Sequence, residues 1–188
     1  MTEPRITLAP PEGNPAEVQS LVDTLRRPGQ PPLNLFLALA RHPDLLRDYL
    51  PLGTRLLLRG TLSGRDRELV ILRTAWLCGC DYEWGHHLRL AAREGLSPEE
   101  IADIPDASAG RWRRHEAALL HATGELTGEH TIGQAAWDTL SETYDDAALV
   151  EFAMLVGHYA MLAGLLNAAR VPREAGIEGL PGSPRSPA

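Results

Sequence analysis

The segment from Cys78 to His87 concentrates side chains that can take part in acid–base or thiol chemistry. It reads Cys-Gly-Cys-Asp-Tyr-Glu-Trp-Gly-His-His. Glu83 and His87 are four residues apart, so on a helix they share one face. Cys80 falls just before or in the first turn of that helix, where the helix N-terminus and a nearby imidazole favour a thiolate. We therefore predict that Cys80, Glu83 and His87 border one site.

A carboxylate on the preceding predicted helix, Glu68, could complete this site. If that helix packs antiparallel against the helix of His87, Glu68 can reach the imidazole and orient it. In this hypothesis His87 is the general base or acid, and Glu83 shares the proton transfer. Cys80 and Tyr82 then line the pocket.

The remaining side chains of the segment are candidates for contacts with a substrate: Tyr82, Trp84 and His86. Trp84 is an aromatic residue of the core or of the pocket wall. His86 lies on a different stripe of the helix, together with Tyr82 and Arg89. Arg89 and Arg93 could bind a carboxylate there, but a solvated basic face is the more common role of such arginines.

Composition and charge exclude several classes of protein. The chain has 188 residues and a formal net charge of -7, which argues against a general affinity for nucleic acid or anionic membranes. It contains no lysine, so lysine Schiff-base chemistry and a P-loop are excluded. The sequence has no signal-peptide pattern, and polar residues interrupt its apolar runs, so we expect no span and a cytoplasmic protein.

Two cysteines, Cys78 and Cys80, do not make a disulfide framework. Together with Glu83 and His87 they match no recognised zinc spacing, so we predict neither a metal nor a cofactor. The partner we expect is a small-molecule substrate.

Helix signals follow one another along the chain and predict an all-α bundle. The domain should comprise residues 15–171, between extended or loosely docked tails at 1–14 and 172–188, with residues 179–184 disordered. Pro51 should kink or split the third helix. Side chains that can cap helix N-termini precede several apolar runs: Asp44, Ser63, Asp81, Ser97, Thr131 and Asp145.

These motifs resemble those of the carboxymuconolactone decarboxylase family, which includes the alkylhydroperoxidase-D-like proteins. The resemblance is carried by residues 67–73 (Arg-Glu-Leu-Val-Ile-Leu-Arg), by residues 82–87, and by the spacing Glu-x11-Cys-x6-His. It extends from about Leu33 to Val171. The family implies an alkylhydroperoxidase-D-like helical bundle that assembles into a homo-oligomer: a dimer, trimer or hexamer.

The peroxidase branch of the family implies a Cys-x-x-Cys pair with a histidine between, a histidine four residues beyond and an upstream glutamate. Glu68, Cys80 and His87 match this pattern. Glu83 stands in place of the second cysteine, and Tyr82 in place of the intervening histidine. A disulfide-cycling peroxidase needs a resolving thiol within reach, so this departure favours the decarboxylase branch, which needs no thiol pair.

Three functions follow as hypotheses. The preferred one is an acid–base enzyme of lyase or decarboxylase type that acts on a small carboxylated or lactone-type metabolite. The second is a thiol peroxidase, an oxidoreductase using Cys80 with Cys78. The third is a non-catalytic oligomer that binds a ligand. Outside the segment, we expect His158 and Tyr159 to pack in an apolar helix, with lining of the cavity as the alternative, and the other histidines to be surface or capping residues.

Overall fold

The structure is a computed structural model that describes residues 3–9, 16–24 and 31–182. Its described residues form α-helices joined by turns, which confirms the predicted all-α class. The helices are α1 (Ala16–Thr24), α2 (Asn34–Leu39), α3 (Pro43–Leu58), α4 (Gly64–Leu77), α5 (Asp81–Arg93), α6 (Pro98–Asp103), α7 (Arg114–Glu129), α8 (Gln134–Ser141) and α9 (Asp146–Ala169).

Three helices begin at the predicted caps. The Ser63 side chain accepts a hydrogen bond from a backbone N–H in the first turn of α4, and Asp145 does the same for α9. Ser97 forms a reciprocal capping box with Glu100 at the start of α6. Such caps depend on residues close in sequence, which is why the pattern alone predicts them.

Three other predicted caps are wrong. His42, rather than Asp44, caps α3, because Pro43 takes the first helical position and the His42 ring accepts from the N–H of Leu45. Asp81 lies in the first turn of α5, and Cys80 is the residue before it. α8 begins after Gly133 instead of Thr131. α3 also continues through Pro51 and is not split.

Helix α4 occupies the centre of the fold, in contact with α5, α7 and α9. Its buried apolar side chains point to more than one side, so it contributes to two clusters of buried side chains. Val70 and Ile71 belong to the cluster that includes most of α9, whereas Leu69 and Leu72 belong to the cluster on the side of α6. This central position buries the polar residues of α4 as well as the apolar ones.

A short turn at Gly79, where φ is +59°, folds α5 back along α4. Glu68 of α4 contacts His87 of α5, and the preceding residue Arg67 contacts Glu94, about two helical turns after His87, so the two helices run antiparallel. This is the arrangement on which the sequence hypothesis depends.

Helix α9 is long and apolar enough to span a membrane by length and composition, contrary to the sequence expectation that no segment is. Core helices of globular proteins meet the same criterion. Half of the most apolar window of α9 is buried here, and the helix packs against α4 and α7.

Both described terminal segments dock on the helices. At the N-terminus, Arg5 N–H donates to the carbonyl of Ala169, and Ala9 is buried. Residues 172–182, which we call the C-terminal strap, lie against α5, with Ile177 buried and Leu180 N–H donating to an Asp81 carboxylate oxygen. The predicted disorder is therefore wrong for residues 179–182, while residues 183 and 184 lie outside the described residues.

At Gly85, α5 and the C-terminal strap approach each other closely. A Cβ at this position would lie 1.8 Å from the carbonyl oxygen of Glu178 and 2.5 Å from Ile177 Cγ2. Gly85→Ala should therefore displace the strap and lower the free energy of unfolding by roughly 1–3 kcal/mol. Limited proteolysis with trypsin would detect the displacement as faster cleavage after Arg173.

Gly157→Ala is the matched control for this variant. A Cβ at Gly157, on an exposed part of α9, meets no atom within 4 Å. Alanine is the better helix former by about 1 kcal/mol, so this variant should keep or gain stability and leave the strap protected. Equal cleavage of the Gly85 variant and the control would contradict close packing at Gly85.

Candidate acid–base site

The antiparallel pair α4 and α5 brings Glu68 to His87. Glu68 Oε2 lies 2.7 Å from His87 Nδ1, and both side chains are buried. Arg67 Nε donates to the other oxygen of Glu68 at 3.1 Å. Glu68 therefore has one oxygen for each neighbour, and a carboxylate facing Nδ1 places the ring proton on that nitrogen.

A second carboxyl group, that of Glu83, lies on the other side of the same imidazole. Glu83 Oε2 is 3.5 Å from His87 Nε2, one helical turn away on α5. Burial raises the pKa of Glu83, which favours its protonated form. Its Oε1 has no hydrogen-bond partner among the described residues. The imidazole of His87 thus lies between two buried carboxyl groups. That of Glu68 is hydrogen-bonded by Arg67, whereas that of Glu83 favours its protonated form.

Tyr159 of α9 holds the imidazole from a third direction. Its ring packs edge-on against His87, with centroids 5.1 Å apart and planes at 89°. Because the ring is fixed on this side and hydrogen-bonded at Nδ1, His87 has little freedom to rotate. A fixed ring orientation is what acid–base catalysis requires.

His87 and Glu83 face a cavity of about 310 Å³ between α2, α3, α5 and α9. Tyr82 and His86, both predicted to contact substrate, line it as well. Most of the remaining wall is apolar. The apolar lining comprises Leu33, Leu35, Phe36, Leu50, Leu57, Leu58, Leu90 and Leu162.

His158 and Tyr159 line this cavity too, which is the less favoured of the two positions that the sequence allowed for them. The His158 ring stacks on Tyr49 at 5.2 Å, and its Nε2 lies 3.4 Å from the Tyr49 hydroxyl. Burial lowers the pKa of His158 to about 4, so the imidazole is neutral near pH 7. A single histidine in a long apolar helix is the sequence signal that could have indicated its position in this site.

Glu174 of the C-terminal strap joins the walls formed by α2 and α5. It accepts hydrogen bonds from the Tyr82 hydroxyl and from Asn34 N–H, each at 2.7 Å, and its other oxygen lies 2.5 Å from His86 Nε2. Although burial alone would raise the pKa of Glu174, the hydrogen bond to His86 helps to lower it. Sequence reasoning missed this residue because the tail was not expected to be ordered on α5.

Three predicted site residues do not line the cavity. Glu68 lies behind His87 and acts on it from α4. Trp84, two residues from Tyr82, points to the opposite side of α5 and packs 6.0 Å from Trp76 in the core. Cys80 is fully buried in the core.

The predicted thiolate at Cys80 is contradicted by its surroundings. Burial raises the pKa of the Cys80 thiol to about 12 and also raises that of Cys78. The cost of burying a charge here exceeds the stabilisation from the helix N-terminus. A protonated, inaccessible thiol is a poor nucleophile.

Hydrogen peroxide is therefore expected to leave Cys78 and Cys80 reduced. The physical reason is that the thiolate, not the thiol, reacts with peroxide. Thiol titration after unfolding, with mass spectrometry of the intact chain, would measure both residues. Rapid loss of both thiols to an intramolecular disulfide, absent from a Cys78→Ser variant, would contradict this prediction.

Another polar cluster, away from the cavity, contains Asp66, His115 and Glu116, whose ligand atoms lie within 4.8 Å of one another. The carboxylates are already used: Arg65 Nε donates to Glu116 at 2.7 Å, and the Ser63 hydroxyl donates to Asp66 at 2.7 Å. The arginine supplies the positive charge that a cation would otherwise bring.

Residues 43–123 match the sequence profile of the carboxymuconolactone decarboxylase family. This segment belongs to that family. The match confirms the resemblance inferred from the motifs around Glu68 and His87. Comparison with curated proteins finds no significant match.

Solved structures share the fold of the whole described domain. A peroxidase-related protein from Ralstonia eutropha JMP134, described as an alkylhydroperoxidase AhpD core, has 18% identity and a TM-score of 0.78, covering 93% of this chain and 94% of its own. A peroxidase-related protein from Silicibacter sp. TM1040 has 18% identity and a TM-score of 0.80, covering 94% and 97%. The debrominase Bmp8 has 14% identity and a TM-score of 0.70, covering 85% and 87%. At such identities the likeness concerns the fold alone.

The carboxymuconolactone decarboxylase segment contains only part of the site. Glu68, Glu83 and His87 lie within residues 43–123. His158, which lines the cavity, and Glu174, which contacts His86 in the cavity wall, come from outside the segment. The acid–base groups therefore belong to the family segment, while part of the surrounding wall comes from the rest of this chain.

Proposed function

We propose that the protein is an acid–base enzyme of lyase or decarboxylase type, which moves a proton next to the carbonyl group of a small lactone or carboxylated molecule. One observation carries the proposal: the His87 imidazole lies between the carboxyl groups of Glu68 and Glu83, at the wall of a cavity. A histidine positioned by one carboxyl group and close to a second is suited to general acid–base catalysis.

The roles follow from the hydrogen bonds. Because Nδ1–H of His87 donates to Glu68, the lone pair of Nε2 is available to remove a proton from carbon. Glu83, kept protonated by burial, can donate its proton to the carbonyl oxygen. The electron pair of the broken C–H bond then forms the carbon–carbon double bond of an enol. Reversal returns a proton from His87 to carbon and the enol proton to Glu83.

Two observations count against a thiol-based reaction: Cys80 does not line the cavity, and its thiol is held protonated. A non-catalytic oligomer would bind a ligand in the same cavity without exchanging its protons. The homo-oligomeric state stays a prediction, which light scattering coupled to size-exclusion chromatography would measure.

Deuterium exchange tests the proposal without knowledge of the net reaction. The protein is incubated in D2O with a panel of lactones, cyclic ketones and carboxylated analogues, and loss of the proton next to the carbonyl is followed by NMR. We expect at least one compound to exchange faster than in buffer, because the site supplies both the base and the acid. Exchange at the buffer rate across the panel would refute the acid–base assignment.

A further inference from the structure

We propose that this cavity selects an electrically neutral substrate, an uncharged lactone or cyclic ketone of one or two rings, over a carboxylate or an ammonium compound. The inference rests on the proposed function for its choice of carbonyl compounds. It concerns recognition, however, and binding can be measured separately from turnover.

The imidazoles on the α5 side of the cavity already have acidic partners. His86 Nε2 lies 2.5 Å from Glu174, and His87 Nδ1 lies 2.7 Å from Glu68. No arginine is present among the described residues that line the cavity. An entering carboxylate would therefore find no unpaired positive charge to compensate for the loss of its hydration.

The α9 side of the cavity offers a polar group without charge. Tyr49 and His158 stack on one another, with the hydroxyl 3.4 Å from Nε2, and both line the cavity. His158 Nδ1 has no hydrogen-bond partner among the described residues, and burial keeps the ring neutral. A neutral imidazole can accept or donate one hydrogen bond but cannot balance an ionic charge.

An ammonium group would also lack a partner. Glu68 and Glu174 are occupied by Arg67, His87 and His86, and burial favours the uncharged form of Glu83. The rest of the wall is largely leucine, which lowers the free energy of an apolar ring but not of an ion.

The volume limits the size of the molecule. At about 310 Å³ the cavity is at the small end of the range for ligand pockets, which suits one or two rings. The ring system would lie against the leucines, and its oxygen would face Glu83 and His87.

Three probes with the same ring system separate charge from shape: 2-naphthalenemethanol, 2-naphthoate and 2-naphthylmethylammonium. Binding to the full-length protein is measured near pH 7 by calorimetry and by NMR. We expect the alcohol to bind at least about tenfold more tightly than either ion. Equal or tighter binding of the naphthoate or the ammonium probe, or no binding of the alcohol, would overturn the proposal.

A substitution in the cavity wall tests whether the probes bind inside this cavity. Thr54 lines the cavity from α3, so Thr54→Arg should tighten 2-naphthoate binding by about tenfold or more. Ser141→Arg, at an exposed residue at the end of α8, is the matched control and should change nothing. If Thr54→Arg fails to fold, perturbation of the His158 ring signals by the alcohol in the wild-type protein provides the location. Unperturbed His158 signals, or equal effects of the two substitutions, would place the probe elsewhere and overturn the proposal.

The outcomes distinguish this inference from the proposed function. Preferential binding of the alcohol without deuterium exchange of any carbonyl compound would support a neutral-ligand site and refute the acid–base function. Exchange of a carboxylated compound, with tight binding of 2-naphthoate, would support the function and refute neutral selectivity.

Discussion

Replacing His87 by alanine is expected to lower the rate of deuterium exchange by about a thousandfold, which is within the usual contribution of a general acid or base. The imidazole is the group that Glu68 orients and that lies 3.5 Å from Glu83, so its loss removes the base. Exchange of the best compound in D2O, followed by NMR, measures the effect.

Two further variants separate catalysis from stability. His87→Ala leaves the buried Glu68 without its imidazole partner, which by itself costs stability. His87→Gln retains a group that can donate to Glu68, yet it should be as inactive as the alanine variant. His121→Ala removes a histidine whose side chain is 64% exposed and should exchange at the wild-type rate. Wild-type exchange in either His87 variant would refute its role as the base.

Acidification is expected to destabilise the protein through His158. Its pKa is about 4 in the folded protein, against 6.5 for an ordinary solvent-exposed histidine, which the unfolded chain approaches. Between these values the unfolded chain binds more protons, so the contribution of His158 is fully present above pH 6.5 and is lost as the pH falls. This group alone should lower the free energy of unfolding by roughly 2 kcal/mol between about pH 7 and pH 4.5.

His158→Phe should remove this part of the pH dependence, because phenylalanine can stack on Tyr49 but cannot bind a proton. Urea denaturation at the two pH values measures it, with His121→Ala as the exposed control. Glu83 has the opposite effect on how stability depends on pH. Because its pKa is raised in the folded protein, Glu83 contributes to stability at low pH, and this contribution is lost as the pH rises. Repeating the comparison in Glu83→Gln therefore separates the two groups. An unchanged pH dependence in His158→Phe would contradict the assignment to His158.

Much of the site could be predicted from residues close together along the chain. Apolar residues at helical spacing predict α4 and α5, and the glycine turn at Gly79 folds one helix back on the other. Once two helices are antiparallel and joined by so short a turn, the positions of Glu68 and His87 follow from counting helical turns.

Side-chain environment could not be predicted in the same way. Tyr82 and Trp84 are both aromatic residues of one helix, yet one lines the cavity and the other packs in the core. Cys80 lies at a helix start that favours a thiolate, but its burial decides the pKa. These outcomes depend on which elements cover each face of α5, and no local pattern contains that information.

The sequence by itself therefore determined most of the helices, the resemblance to the family, and the hypothesis that Glu68 could reach His87, because these depend on periodicity and short-range spacing. Only the tertiary structure decided that His158 of α9 lines the cavity and that Glu174 of the C-terminal strap contacts His86 in the cavity wall. It also decided which groups can carry charge, because the cost of ionisation depends on burial and on partners distant in sequence.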